Sequence, residues 1–274
     1  MHRNVFAFYE KETLLHQFNP TLKLAVVFVF MIMATLLFDV WTLTQMFLWI
    51  FVVIWQLGRV PLLPLLRGHL PFLVLGLGYL WMNALFPRAG TEAVTVLFRV
   101  GPFRVVEEGV YIGLILTVRA LCFGACSLFF IVSTDPTQFI ISLIQQLGLS
   151  PRFAYGTLAA YRFVPLLEVE LAQIRAAHRL RGVGEGEGLR GKAIQLYRYT
   201  LPLLASAIRK AGRVAVAMES RAFTGGRERT YYRQSRFHWI DGLFAAGAII
   251  SLSLILALSW SLGWLRFWQG SLGF

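Results

Sequence analysis

The feature that most constrains this chain is the length of its charge-free stretches. Between Lys23 and Arg59 the only charged residue is Asp39, and this stretch is far longer than the roughly 20 residues that cross a bilayer once as a helix. The chain must therefore turn back on itself, and we predict a helical hairpin of residues 22–38 and 41–57. With 57% hydrophobic and only 15% charged residues, against about 25% charged in soluble domains, the composition excludes an ordinary soluble enzyme.

Three further apolar stretches predict three more membrane spans. Arg119 is the only charged residue in these stretches, which cover residues 70–87, 109–134 and 242–265. The predicted fold is therefore all-α, a polytopic membrane protein with about five transmembrane helices. We predict a four-span membrane bundle, a basic region and a final transmembrane helix at residues 1–134, 135–239 and 240–274.

Basic residues are concentrated in the region 135–239, which holds 16 of the 26 Lys and Arg residues against 7 acidic ones. Because basic segments next to membrane spans tend to stay in the cytoplasm, we predict that this region is cytoplasmic. Five spans then place the amino terminus in the cytoplasm as well. The same topology puts the 58–69 loop inside and the 88–108 loop outside.

Two long helices are predicted within the basic region. Residues 153–181 and 193–221 alternate apolar and polar side chains at helical spacing, and each contains one proline, so both helices should be amphipathic and bent. A glycine-rich segment, 182–191, separates them. The second helix carries small residues that allow close approach of another helix, namely Ala205, Ala207, Ala211, Gly212 and Ala215.

No catalytic or metal-binding motif is evident in the sequence. Gly186, Gly191 and Lys192 fit the spacing of a phosphate-binding loop, but Ala193 follows where that loop needs Ser or Thr, and no strand precedes it. The five histidines never lie at metal-ligand spacing beside a second ligand. We therefore expect no catalysis, bound cofactor or metal in this chain itself.

Arg119 lies inside a predicted span, where a guanidinium in hydrocarbon costs at least about 2.5 kcal/mol. Such a residue is often functional, and one alternative is a self-contained carrier in which Arg119 binds an anionic solute. The other is a structural ion pair with Asp39, which lies toward the same side of the membrane. We favour the ion pair.

Arginines also stand at the ends of the two long helices, at Arg179, Arg181 and Arg221. A guanidinium presents a planar set of donors that suits carboxylates and carbonyls on a partner protein. Basic residues in a last turn also interact favourably with the helix dipole and with lipid headgroups. On the pattern alone this second interpretation is the simpler one.

At these residues the sequence resembles the transmembrane T component of energy-coupling factor (ECF) transporters, importers of the ABC type. The resemblance spans nearly the whole chain, and the order and spacing of its motifs make it specific. Its motifs are residues 16–23 (HQFNPTLK), 133–136 (STDP), 147–151 (LGLSP), 161–168 (YRFVPLLE) and 217–223 (AMESRAF).

The resemblance implies a role for the arginines. The family carries an Ala-Arg-Gly signature at the end of each of two coupling helices, where each signature engages one ATPase subunit. With Arg179 beside the first, these signatures correspond to Leu180, Arg181 and Gly182, and to Ser220, Arg221 and Ala222. Both arginines are retained, but Ala222 replaces a glycine and enters left-handed conformations less easily, which leaves the turn at this helix end open.

The resemblance implies a scaffold in the bacterial or archaeal cytoplasmic membrane that couples ATP hydrolysis to uptake of a vitamin or transition-metal ion. Its expected partners are two ABC-type ATPases, which bind ATP and magnesium, a small substrate-binding membrane protein, and lipids, but no nucleic acid. The small residues from Ala205 to Ala215 would slide against the substrate-binding protein. A rival hypothesis, a membrane enzyme acting on anionic lipid headgroups, would need catalytic groups that the sequence lacks.

Overall fold

A computed structural model describes residues 14–86, 96–100, 103–182, 188–226, 231–235 and 237–266. Most of these residues are helical, and the only strands among them form one short hairpin. The predicted all-α class is therefore confirmed. The helices are α1 Leu14–Gln17, α2 Pro20–Leu36, α3 Val40–Gln56, α4 Leu62–Leu85, α5 Glu107–Ser133, α6 Pro136–Leu147, α7 Pro151–Leu180, α8 Gly188–Glu219 and α9 Trp239–Ser261. The antiparallel strands β1 Val96–Val100 and β2 Phe103–Val106 lie between α4 and α5.

The chain divides into two compact units. Unit 1 comprises Met1–Ser142 and Ser235–Phe274, and unit 2 comprises Leu143–Gln234. Chain order therefore inserts unit 2 between two parts of unit 1.

Helix α5 forms the centre of unit 1 and packs against α2, α3 and α4. Its contact with α4 is close because small residues line it. A Cβ atom added to Gly113 of α5 would lie 2.7 Å from the Leu80 Cα, and one added to Gly76 of α4 would lie 2.7 Å from a Thr117 side-chain carbon. Apolar side chains bind poorly to one another in lipid for lack of a hydrophobic driving force, so such close van der Waals packing is what holds membrane helices together.

Three described helices are long and apolar enough to cross a bilayer: α4, α5 and α9. Helices α2 and α3 are also apolar but have 17 residues each, about 26 Å at 1.5 Å per residue. The structure thus supports a membrane protein, while the count of five spans stays a prediction.

Two predicted loops differ from the structure. Helix α4 begins at Leu62, so most of the predicted 58–69 loop is helical, because Pro61 and Pro64 fall at the helix start where a missing N–H is tolerated. The predicted 88–108 loop contains the hairpin of β1 and β2 and the first residues of α5.

Unit 2 is built on α7 and α8, which run antiparallel to each other. As the residue number rises along α7, the residue number of the partner on or just after α8 falls. Tyr155 meets the Phe223 ring, Glu170 meets Ser206, and His178 meets the Tyr199 ring. The two predicted long helices are confirmed. The second begins five residues before its predicted start at residue 193, inside the glycine-rich segment.

Candidate functional site

Helix α7 ends in a tight left-handed turn directly after an arginine. The Arg181 N–H donates to the Ala177 carbonyl at 3.2 Å, and the Gly182 N–H donates to the Arg179 carbonyl at 3.0 Å. Gly182 has φ +69, a conformation that glycine adopts without steric cost. Arg179, Arg181 and Gly182 are all exposed.

Helix α8 ends in the same way although it lacks the glycine. The Ala222 N–H donates to the Glu219 carbonyl at 2.9 Å, and the Phe223 N–H donates to the Met218 carbonyl at 3.0 Å, which satisfies carbonyls that the helix end leaves unpaired. Ala222 has φ +58, a left-handed conformation that costs an L-residue roughly 1–2 kcal/mol. Ala222 thus forms the same kind of left-handed turn as Gly182. Ser220, Arg221 and Ala222 are exposed.

The two arginine-bearing ends lie at opposite ends of unit 2. Near the end of α8 the Arg152 Nη2 donates to the Thr224 carbonyl at 3.1 Å, so Arg221 belongs to the same end as the start of α7. Arg181 marks the other end of α7, which has 30 residues and is therefore about 45 Å long. Unit 2 thus presents two similar cationic tips separated by about one long helix.

A polar contact joins α7 and α8 between these tips. The Glu170 carboxylate accepts hydrogen bonds from the Ser206 hydroxyl and the Lys210 ammonium, and the Glu170 side chain is 18% exposed. Both bonds favour the charged form and lower the pKa of Glu170 below its usual value. Sequence analysis missed this contact, since no local pattern pairs residues about 36 positions apart.

The small residues of α8 are largely exposed and lie off the contact with α7. Ala205, Ala211, Gly212 and Ala215 are exposed and Ala207 is half-buried, whereas Ser206, which meets α7, is buried. A Cβ atom added to Gly212 would meet nothing within 4 Å. With the exposed side chains of Leu201, Leu204 and Ile208, these residues form what we term the α8 apolar surface. Its role as a partner interface stays a prediction.

The predicted ion pair of Asp39 and Arg119 is wrong. Arg119 donates from Nε to the Ala34 carbonyl at 3.0 Å and from Nη2 to the Leu37 carbonyl at 2.7 Å. Asp39 Oδ1 instead accepts the Thr42 N–H at 2.6 Å, so Asp39 caps the start of α3. The end of α2 offers unpaired carbonyls and the negative end of a helix dipole, which bind the guanidinium through Nε and Nη2. The carrier hypothesis stays an alternative.

A second buried basic residue is Lys23, which the sequence indicates only as the last residue of the motif at residues 16–23. Its side chain is 1% exposed, and its Nζ donates to the Ser133 carbonyl at 2.7 Å. The buried Asp241 carboxylate supplies the opposing charge. Asp241 also accepts the N–H groups of Asn19 and His238 at 2.7 and 2.8 Å, so one carboxylate serves the starts of α2 and α9.

No group of three or more His, Cys, Asp or Glu residues with metal-binding geometry occurs in the part of the chain that the structure describes. Cys122 and Cys126 are free thiols buried in α5.

These features define a class of protein: an integral membrane protein whose apolar helices are joined to a second, basic unit of two long helices. Residues 11–232 match the profile of the CbiQ family, described as cobalt transport protein. The chain belongs to this CbiQ/EcfT family, which supplies the membrane component of energy-coupling factor transporters.

Several curated relatives cover most of the chain. The energy-coupling factor transporter transmembrane protein EcfT of Lacticaseibacillus paracasei is 30% identical over 251 residues, 89% of this chain and 93% of that protein. EcfT of Bacillus subtilis is 27% identical over 254 residues, 90% of this chain and 92% of that protein. EcfT 1 of Listeria monocytogenes is 29% identical over 255 residues, 90% and 94% of the respective chains.

Proposed function

We propose that this chain is the non-catalytic scaffold of an ECF-type importer and couples two ATPase subunits to a small substrate-binding membrane protein. The observation that carries the proposal is the pair of similar helix ends in unit 2. Each consists of a long helix, an exposed arginine and a left-handed residue. Two similar tips suit two similar partners, and a guanidinium suits carboxylates and carbonyls in a groove.

The antiparallel pair of α7 and α8 would carry the movement of these partners. Closure of the ATPases on ATP and magnesium would displace both tips together, because the contact of Glu170 with Ser206 and Lys210 ties the helices between them. This chain would bind no nucleotide or metal itself. The chemistry of ATP hydrolysis would belong to the partner subunits.

The α8 apolar surface would face the substrate-binding protein. Exposed Leu201, Leu204 and Ile208 surround small residues that permit sliding contact. That partner would select the cargo, a vitamin or a transition-metal ion. Five spans, including the short helices α2 and α3, would place the amino terminus and unit 2 in the bacterial or archaeal cytoplasm, consistent with the basic charge of unit 2.

The test is reconstitution of the purified complex in liposomes with the variants Arg181→Glu, Arg221→Glu and the double variant. Each single variant should dissociate an ATPase or uncouple hydrolysis from uptake while the chain stays in the membrane. Arg213→Glu makes the same charge change at an exposed position of α8 and should transport normally. Full transport by the double variant would refute the docking role.

A further inference from the structure

We infer that Asn19, Lys23 and Asp241 form an anchor in unit 1 that fixes both points at which the chain leaves for unit 2 and returns from it. The inference rests on the proposed coupling function and assigns these three residues a positioning role in it. It concerns contacts inside unit 1 only. Through them, displacement of unit 2 would become movement of membrane helices.

The outgoing point is held by Lys23. Its Nζ donates to the carbonyl of Ser133, the last residue of α5, and α6 follows after two residues. Helix α6 also packs back on α5, since the Phe139 ring meets the Phe130 ring edge-on at 5.1 Å. Ser142, where unit 1 ends on this side, is fully buried. The segment leading to unit 2 is therefore tied to α2 and α5.

The returning point is held by Asn19 and Asp241. Unit 1 resumes at Ser235, whose hydroxyl oxygen lies 3.4 Å from the Asn19 amide nitrogen. Three residues later the His238 N–H donates to Asp241 Oδ2, while the Asn19 N–H donates to Oδ1 of the same carboxylate. The first turn of α2 thus bonds the chain on both sides of unit 2.

The charges of the anchor match the helix ends on which they act. The Lys23 ammonium lies at the carbonyl end of α5, and the Asp241 carboxylate lies at the N–H ends of α2 and α9, which are the favourable signs for a helix dipole. Lys23 is 1% exposed and Asp241 is 2% exposed. Buried charges persist only when they are paired and hydrogen-bonded. Loosening the anchor would leave both charges poorly satisfied, so the closed arrangement is favoured.

A link of this kind gives a mechanical result. We term the outgoing and returning points the roots of unit 2. If both roots are fixed to one turn of α2, a movement imposed at the tips of unit 2 cannot be lost through movement of the roots themselves. If the roots are loose, the ATPases hydrolyse ATP but unit 1 receives less of the movement. The expected signature of a broken anchor is therefore a fall in transport per ATP with assembly and hydrolysis preserved.

The experiment measures transport and ATP hydrolysis by the full complex in liposomes carrying Lys23→Met. We expect a complete complex, hydrolysis within about twofold of the unmodified complex, and at least a tenfold lower ratio of transport to hydrolysis. Arg119→Met is the matched control, because Arg119 also donates to helix-end carbonyls but lies away from the roots. It should keep the ratio within twofold. An unchanged ratio in Lys23→Met overturns the inference.

A reversible link provides the decisive second arm. Asn19→Cys with Ser235→Cys removes the side-chain link at the returning point and should lower the ratio of transport to hydrolysis at least threefold. A short thiol crosslinker then joins the two cysteines, while the native Cys122 and Cys126 are buried and out of reach. Crosslinking should restore at least half of the lost ratio, and reversing it should remove the gain. An unrestored ratio would overturn the inference.

A third variant covers the case in which Lys23→Met does not assemble. Asn19→Ala with Ser235→Ala removes the side-chain link at the returning point and leaves the Lys23 contact intact. Its transport ratio should fall at least threefold, and an unchanged ratio overturns the inference. These outcomes are distinct from failure of the proposed function, in which the double glutamate variant of Arg181 and Arg221 would transport fully.

Discussion

Replacement of Asp39 by asparagine separates a helix cap from an ion pair. In the structure Asp39 Oδ1 accepts the Thr42 N–H at 2.6 Å, and Oδ2 is buried without a hydrogen-bond partner among the described residues. Asparagine caps a helix start about as well as aspartate. Asp39→Asn should therefore keep the hydrogen bond from the Thr42 N–H and remove an incompletely satisfied charge.

The expected magnitudes differ enough to decide the question. Asp39→Asn should change the free energy of unfolding by less than about 1 kcal/mol, whereas Asp39→Ala loses the cap and should cost about 1 kcal/mol, within a range of roughly 0.5–2. If Asp39 were paired with Arg119, neutralising it would leave a buried charge without a partner and cost about 3–5 kcal/mol.

Arg119→Met tests the other half of the argument. It loses two charge-assisted bonds to the carbonyls of Ala34 and Leu37, each worth about 1.5–3 kcal/mol, but it also removes a guanidinium whose burial in hydrocarbon costs at least about 2.5 kcal/mol. The net destabilisation should therefore be at most about 3.5 kcal/mol.

The assay is reversible unfolding in mixed micelles, arranged as a double-mutant cycle of Asp39→Asn and Arg119→Met. Because the two side chains bond different partners, their coupling energy should stay well below the roughly 3–5 kcal/mol expected for a broken buried pair. A loss of more than 3 kcal/mol in Asp39→Asn, largely recovered in the double variant, would refute the assignment of separate roles.

The other predictions concern helix packing and helix ends. Ala222→Gly relieves the left-handed alanine and should stabilise unit 2 by about 1 kcal/mol in thermal unfolding; a loss would refute the strain. The lowered pKa of Glu170 means that its contact stabilises above the unfolded pKa of about 4.3 and is lost as pH falls through the folded value. The hydrogen-exchange protection of α7 and α8, corrected for the intrinsic exchange rate at each pH, should thus fall in acid, with no such fall in Glu170→Gln. Gly113→Ala should cost about 1–3 kcal/mol in unfolding, because the added Cβ meets the Leu80 backbone. Gly78→Ala should not destabilise, because its added Cβ meets nothing within 4 Å.

The sequence predicts the helices well where hydrophobicity or helical periodicity continues over many residues. Helices α5 and α9 start within three residues of their predicted spans, because long apolar runs leave few alternatives. The start of α4 was missed, since prolines and basic residues are typical of loops as well as of helix starts. The hairpin of β1 and β2 was missed because a charge-balanced segment between spans carries no strong period.

The candidate site was predicted where its residues are neighbours in the chain. The pattern placed Arg181 and Arg221 at helix ends, because each precedes a turn residue at the end of a periodic segment. Their docking role came from the family resemblance and stays a prediction. The contacts of Glu170 with Lys210 and of Lys23 with Ser133 span 40 and 110 residues, and nothing in the local pattern specifies them. The ion pair of Asp39 and Arg119 was wrong because opposite charge was considered and helix-end carbonyls were not.

One physical rule accounts for the charges that the apolar unit tolerates. Four buried or half-buried charges in its helical segments bond helix ends of the appropriate polarity: the cations Lys23 and Arg119 at carbonyl ends, and the carboxylates Asp39 and Asp241 at N–H ends. A charge in such a sequence is therefore better evidence for a nearby helix end than for an ion pair. Arg181 and Arg221 stand at carbonyl ends too, but backbone N–H groups of the following turns already satisfy those carbonyls. Their guanidiniums are exposed, which is the physical reason why we propose a docking role for these two arginines and an anchoring role for the buried Lys23 and Asp241.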